Sequence, residues 1–116
     1  MLTIYHNPRC SKSRQTLALI EEKNHPVTIV EYLKTPLNLT EIEQLISLLK
    51  ISPLEMMRTK EVEFKAQNLV NADDATLIAA MAATPKLIER PIVRDDTRAI
   101  IGRPPENVLS LMQPND

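Results

Sequence analysis

The sequence predicts an α/β fold: a small mixed sheet of order βαβ…ββα, with a helical insertion at about residues 37–84. Three observations predict it. The first 31 residues hold two short apolar runs with an amphipathic stretch between them. From about residue 37 to residue 84 the apolar residues recur at helical spacing. After residue 85, two β-branched runs return, separated by four polar residues and followed by one last helical pattern.

Leu2-Thr3-Ile4-Tyr5 reads as the first strand. In Ser13–Lys23, Thr16, Leu17 and Ile20 share one face of a helix. Asn24-His25-Pro26 breaks it, and the β-branched Val27-Thr28-Ile29-Val30-Glu31 reads as a second strand. A helical crossover between two strands makes them parallel. Tyr32–Pro36 is a connector. Thr40 reads as a helix N-cap, with Glu43 completing a capping box and Ile42, Leu45, Ile46, Leu48 and Leu49 on the apolar face.

Ser52-Pro53 starts a short helix through Leu54, Met56 and Met57, with proline at its first position; Arg58-Thr59-Lys60 ends it. Glu61–Leu69 is a weaker helical segment. Asp73 or Asp74 caps a further helix, with Leu77, Ile78, Met81 and Ala82 inward, that stops at Thr84-Pro85. Pro91–Arg94 and Ala99–Ile101 flank the polar Asp95–Arg98 as an antiparallel hairpin. A closing helix runs through Val108, Leu109 and Met112, and residues 113–116 are expected to fray. Without the insertion, this is the element order of a thioredoxin-like fold. One domain, 1–116, is expected, with its core in 1–36 and 85–116; an insertion of about 48 residues would be marginal alone.

Composition narrows the function. Fourteen basic residues stand against 15 acidic ones, for a net charge of -1, which argues against a nucleic-acid surface. With one glycine in the chain, no glycine-rich phosphate loop can be written. One cysteine and two histidines are too few for a zinc site. No apolar run approaches the roughly 20 residues that span a bilayer, and the N-terminus lacks the pattern of a signal peptide. A single cysteine forms no internal disulfide. A cytoplasmic protein without nucleic-acid or membrane partners is the expectation.

That cysteine, Cys10, lies in His6-Asn7-Pro8-Arg9-Cys10-Ser11-Lys12-Ser13-Arg14, on the loop between the first strand and the first helix. A helix N-terminus carries free N–H groups and about half a positive charge, which favour a thiolate. His6, Arg9, Lys12 and Arg14 add cationic character. Pro8 fixes the backbone before the cysteine, and Ser11 or Ser13 can donate to sulfur. Cys10 therefore reads as a reactive nucleophile, not a buried hydrophobe.

Arg58, Arg90 and Arg103 each stand at an element boundary, where sites are usually built. Arginine's planar fork grips two oxygens of a tetrahedral anion, and a thiolate attacking such an anion needs neighbouring cations. Arg94 and Arg98, within the hairpin, read as surface residues. The bond before Pro91 is a candidate cis peptide.

Together, the Cys10 stretch, Arg58-Thr59-Lys60, Glu89-Arg90-Pro91-Ile92-Val93 and Gly102-Arg103-Pro104 resemble the glutaredoxin-dependent arsenate reductases of bacteria, over nearly the whole chain. That family has a thioredoxin-like fold with a helical insertion. The resemblance implies that Cys10 is the nucleophile and that His6 helps to keep it ionised. It implies that Arg58, Arg90 and Arg103 bind the oxyanion and that Pro91 follows a cis bond; Ser13 and Arg14, beside the cysteine, read as supporting residues. It implies no bound cofactor and no metal. It implies arsenate or a similar oxyanion as substrate, glutathione as co-substrate and glutaredoxin as partner. The chain agrees chemically, because a lone cysteine needs an external thiol to complete a cycle. Arg9 and Lys12 depart from family members that carry small neutral residues there.

Two alternatives share the fold. One is a glutathione-linked thiol reductase without an oxyanion substrate. The other is an Spx-like transcription regulator that binds RNA polymerase; such proteins usually carry a C-x-x-C pair, and Ser13 stands at the second position here. A phosphatase-type C-x5-R loop is absent, since position 16 is Thr16. A cysteine protease would need a distant histidine, and only His25 remains.

Overall fold

The computed structural model describes residues 1–112; the expectation for 113–116 lies outside them. The chain divides into two compact units, one formed by residues 1–35 and the stretch from Arg90 onward, the other by Pro36–Glu89.

In the first unit, β1 (Leu2–Tyr5), α1 (Ser11–Glu22) and β2 (Val27–Val30) form the expected βαβ unit, with β1 and β2 parallel. β3 (Ile92–Arg94) pairs antiparallel with β1 and with β4 (Ala99–Ile101), giving sheet order β2-β1-β3-β4. The four-stranded mixed sheet and its flanking helices make the fold thioredoxin-like, as the element order predicts. Arg94 and Arg98 serve the hairpin: Asp95 accepts from the backbone N–H groups of Thr97 and Arg98 and pairs with the Arg98 guanidinium. Arg94 Nε donates to the Asp95 carbonyl.

Leu2, Ile4, Ile20, Val93, Val108 and Leu111 form the core between the sheet, α1 and a closing 3₁₀ helix, Pro105–Met112. This last element corrects the expected closing helix. Its buried residues are Pro105, Val108 and Leu111, and Leu109 and Met112 are only partly covered. A spacing of three matches three residues per turn, so the 3₁₀ helix stacks all three in one line on the core, where an α-helix would spread them over about 120°.

In the second unit, α2 (Leu39–Leu49) is capped by Asn38, not Thr40: Asn38 Oδ1 accepts from Glu41 N and Glu41 Oε1 accepts from Asn38 N. Both candidate caps precede a glutamate by three residues, and asparagine outranks threonine as a cap. A 3₁₀ turn, Leu54–Met56, follows, with Ser52 and Glu55 bonded reciprocally at its start. The weak segment forms only α3 (Val62–Ala66), and α4 (Asp74–Ala83) is capped by Asp73 through Thr76 N. Leu77, Ala80 and Met81 are the buried face of α4; Ile78 and Ala82 lie at its margin. No helix among the described residues is long and apolar enough to cross a membrane.

The single glycine stands where no side chain fits. A Cβ on Gly102 would lie 2.6 Å from Thr16 Oγ1 and 2.8 Å from Pro91 Cγ. The end of β4 therefore closes on α1 and on Pro91 at once. Gly102→Ala is expected to cost about 1–3 kcal/mol through overpacking, read as a lower urea midpoint at unchanged slope. An unchanged midpoint would show that Thr16 and Pro91 yield freely.

Candidate active site

Cys10 ends a tight turn. Its N–H donates to the Asn7 carbonyl at 3.0 Å, and Asn7 Oδ1 accepts from Arg9 N at 3.0 Å. Asparagine at the first position with proline next is a strong β-turn signature. The turn delivers Cys10 to the N-cap of α1 in extended backbone geometry (φ -92°, ψ 123°). Arg14 Nη1 donates to the Pro8 carbonyl at 2.9 Å and ties the turn down from the helix side.

The sulfur is partly buried, and burial raises a thiol's pKa. The backbone N–H of Ser13, the Arg90 guanidinium and the backbone N–H of Lys12 outweigh it, so the Cys10 pKa lies below its ordinary value. The interaction with the helix turn is electrostatic: the side chain closes no aligned capping hydrogen bond. The Ser13 hydroxyl has another task. Fully buried, it lies 2.6 Å from His6 Nδ1 and accepts from Asn7 N at 3.0 Å. What Ser13 gives the sulfur is its backbone N–H, while its hydroxyl clamps the loop to the end of β1. His6 is buried, and burial pulls its pKa below 6.5 against the pull of Glu31 and Glu21. The shift favours the neutral imidazole, and its link to the sulfur runs through Ser13.

Arg90 stands just before β3, and the Arg90–Pro91 bond is cis. Arg103 is exposed, and its Nη1 donates to the Arg90 carbonyl at 3.5 Å. The Arg103–Pro104 bond is also cis, which sequence reasoning did not single out. Arg90 and Arg103 are thus neighbours, and Arg90 faces the sulfur. Arg58 belongs to the second unit. There its backbone N–H donates to the Leu87 carbonyl at 2.7 Å and its guanidinium pairs with Glu61, which also meets Lys86 at 3.7 Å. Among the described residues, no group of three or more His, Cys, Asp or Glu side chains has the arrangement of a metal site.

A model of the ArsC family matches residues 5–111, a span that takes in Cys10, Arg58, Arg90 and Arg103. The chain belongs to the ArsC family. It is 46% identical to an arsenate reductase of Haemophilus influenzae, covering 94% of this chain and 97% of that one. It is also 46% identical to YfgD, an uncharacterized protein of Escherichia coli K12, over 94% of each. Among solved structures, an arsenate reductase from Vibrio cholerae superposes with a TM-score of 0.90 at 46% identity, over 94% of this chain and 95% of that one.

Within this ArsC chain, sequence reasoning passed over two partners of the candidate residues. One is the Asn7 side chain, whose signal was present in Asn7-Pro8. The other is Glu61 as the partner of Arg58, three residues on, a spacing that is common for ion pairs and so carries little information. If Arg90 helps to ionise the sulfur, Arg90→Gln raises the Cys10 pKa. The pH midpoint of alkylation should move up in the variant from a wild-type value below the ordinary one of about 8.5. Identical midpoints would remove Arg90 from the account.

Proposed function

We propose that this chain is an oxidoreductase that reduces arsenate to arsenite, with Cys10 as nucleophile and glutathione and glutaredoxin as external reductants. The observation that carries the reading is the set of donors around one sulfur: the N–H groups of Ser13 and Lys12 and the Arg90 guanidinium. A sulfur so placed is shifted toward the thiolate and stands beside a cation suited to an oxyanion. Membership of the ArsC family and the naming of its relatives support arsenate as that oxyanion.

In this reading the Cys10 thiolate attacks arsenic(V). An As–S bond forms, one As–O bond breaks, and that oxygen leaves as water after taking up protons. Glutathione displaces a second oxygen in the same way, so arsenic carries two thiolates. A glutaredoxin thiolate then attacks the glutathione sulfur. The S–As bond breaks with its electron pair on arsenic, now arsenic(III), and the two sulfurs form a mixed disulfide. Water cleaves the remaining As–S bond, releases arsenite and restores the thiolate.

Arg90 and Arg103 hold oxyanion charge and stabilise the transition state. Arg58 is proposed as a third ligand; its support is the resemblance of Arg58-Thr59-Lys60 to the family's motif. Ser13, Arg14 and His6 keep the loop in shape, and Pro91 sits between Arg90 and the strand. No bound cofactor or metal has a role in this scheme. The cytoplasm, where glutathione keeps thiols reduced, suits it.

An NADPH-coupled assay with glutathione and glutaredoxin tests the proposal, run with and without arsenate. Arsenate-dependent turnover is expected from the wild type and none from Cys10→Ser; turnover by that variant would rule out the covalent route. Arg58→Ala and Arg103→Ala should each cost about 1.5–3 kcal/mol in kcat/KM for arsenate, the range for charged hydrogen bonds. Unchanged kinetics in both would remove them from the oxyanion site.

A further inference from the structure

Beside the cysteine loop lies a cavity of about 310 Å³, bounded by His6–Arg9 on one side and by Glu31, Leu33 and Lys34 on the other. The second wall is a turn built on Glu31, whose carbonyl accepts from Lys34 N and Thr35 N, both at 2.9 Å. Tyr32 is buried within that turn, while Leu33 and Lys34 are exposed. Lys34 Nζ lies 3.4 Å from Glu31 Oε1. Across the cavity, the Arg9 guanidinium makes no hydrogen bond or ion pair among the described residues. The charged side chains of the cavity, Arg9, Lys34 and Glu31, sum to one positive charge with one carboxylate among them.

The cavity joins the nucleophile by two routes. Arg9 is the residue next to Cys10. His6, at the other end of the same wall, bonds to Ser13, whose backbone N–H faces the sulfur. The site described above supplies cations for a tetrahedral anion, and none of its arginines lines this cavity. Arg9, Glu31 and Lys34 therefore need a separate account.

We propose that this cavity is the subsite for the peptide thiol that attacks the Cys10 adduct, with Arg9 and Lys34 receiving its carboxylates and Glu31 its ammonium group. The inference rests on the reductase reading and adds to it where glutathione docks. Glutathione carries two carboxylates and one ammonium at neutral pH, a net charge opposite to that of the cavity. Its shape is elongated, with charges at the ends and sulfur in the middle, so anchoring the ends leaves the thiol free to reach along the Arg9–Cys10 backbone. The volume falls at the lower end of small-molecule sites, about 300–1,000 Å³. Leu33 supplies the apolar contact between the charged ends.

S-Methylglutathione, which binds without reacting, tests this apart from arsenate. Titrated into the protein under nuclear magnetic resonance, it should shift backbone amides of His6, Asn7, Arg9 and residues 31–34. Glu31→Gln and the double variant Arg9→Gln/Lys34→Gln should each weaken binding about fivefold, as expected for partly exposed charges. The diethyl ester of the ligand should bind weakly to the wild type and lose little more in the double variant, because the same interaction is removed from both sides. Absence of binding in the millimolar range, shifts elsewhere, or variants that bind like the wild type would overturn the proposal. So would variants whose KM rises for glutaredoxin alone, which would make these charges a protein-docking face. Binding with this pattern but without arsenate turnover would support the subsite and sink the reductase reading.

Discussion

Burial and ionisation oppose one another at Cys10, and the groups around it shift the balance toward the anion. A partly buried thiol, left alone, would hold its proton more tightly. The turn Asn7–Cys10 instead sets the sulfur at the start of α1, where the N–H groups of the first turn have no carbonyl partners within the helix. Ser13 and Lys12 direct two of those groups at it, and Arg90 adds a full charge. Each contribution is modest. Their direction is common, and none requires a second cysteine or a metal.

The first unit shows how sequence-distant residues come to serve one atom. β1 is flanked by β2 on one side and β3 on the other, so the loop after β1 and the residue before β3 share one end of the sheet. Gly102 lets β4 close against Thr16 of α1 and against Pro91, which keeps the Arg90 segment and the helix carrying Cys10 in fixed register. The buried Ser13 hydroxyl does the same from the other side, tying α1 to His6 at the end of β1. A change at Gly102 is thus a change in the surroundings of the sulfur, although the glycine touches no reacting atom.

Much of this was legible in the sequence because it depends on local rules. Four short β-branched runs, a helical crossover and a polar hairpin turn specify the sheet and its mixed pairing. The cysteine's place at a helix start, and arginine as the residue beside it, follow from boundaries and charge. The features that were not legible depend on competition or on long-range packing. Asn38 and Thr40 both satisfy a capping pattern, and only their relative strength decides between them. Pro105, Val108 and Leu111 choose a 3₁₀ helix because the core lies on one side, which no periodicity read in isolation reveals. The Ser13 hydroxyl was free to seek sulfur or another partner; the nearness of His6, set by where β1 ends, assigns it.

Membership of the ArsC family accounts for the shared fold, and the chemistry proposed here turns on the state of one thiol. The most direct measurement is the ultraviolet titration of the Cys10 thiolate in the native protein and in the same protein unfolded in urea. The native midpoint is predicted to lie clearly below the unfolded one, because the N–H groups and Arg90 act only on the folded chain. Coincident midpoints, or a native midpoint above the unfolded one, would mean that burial wins and that the sulfur is an ordinary thiol.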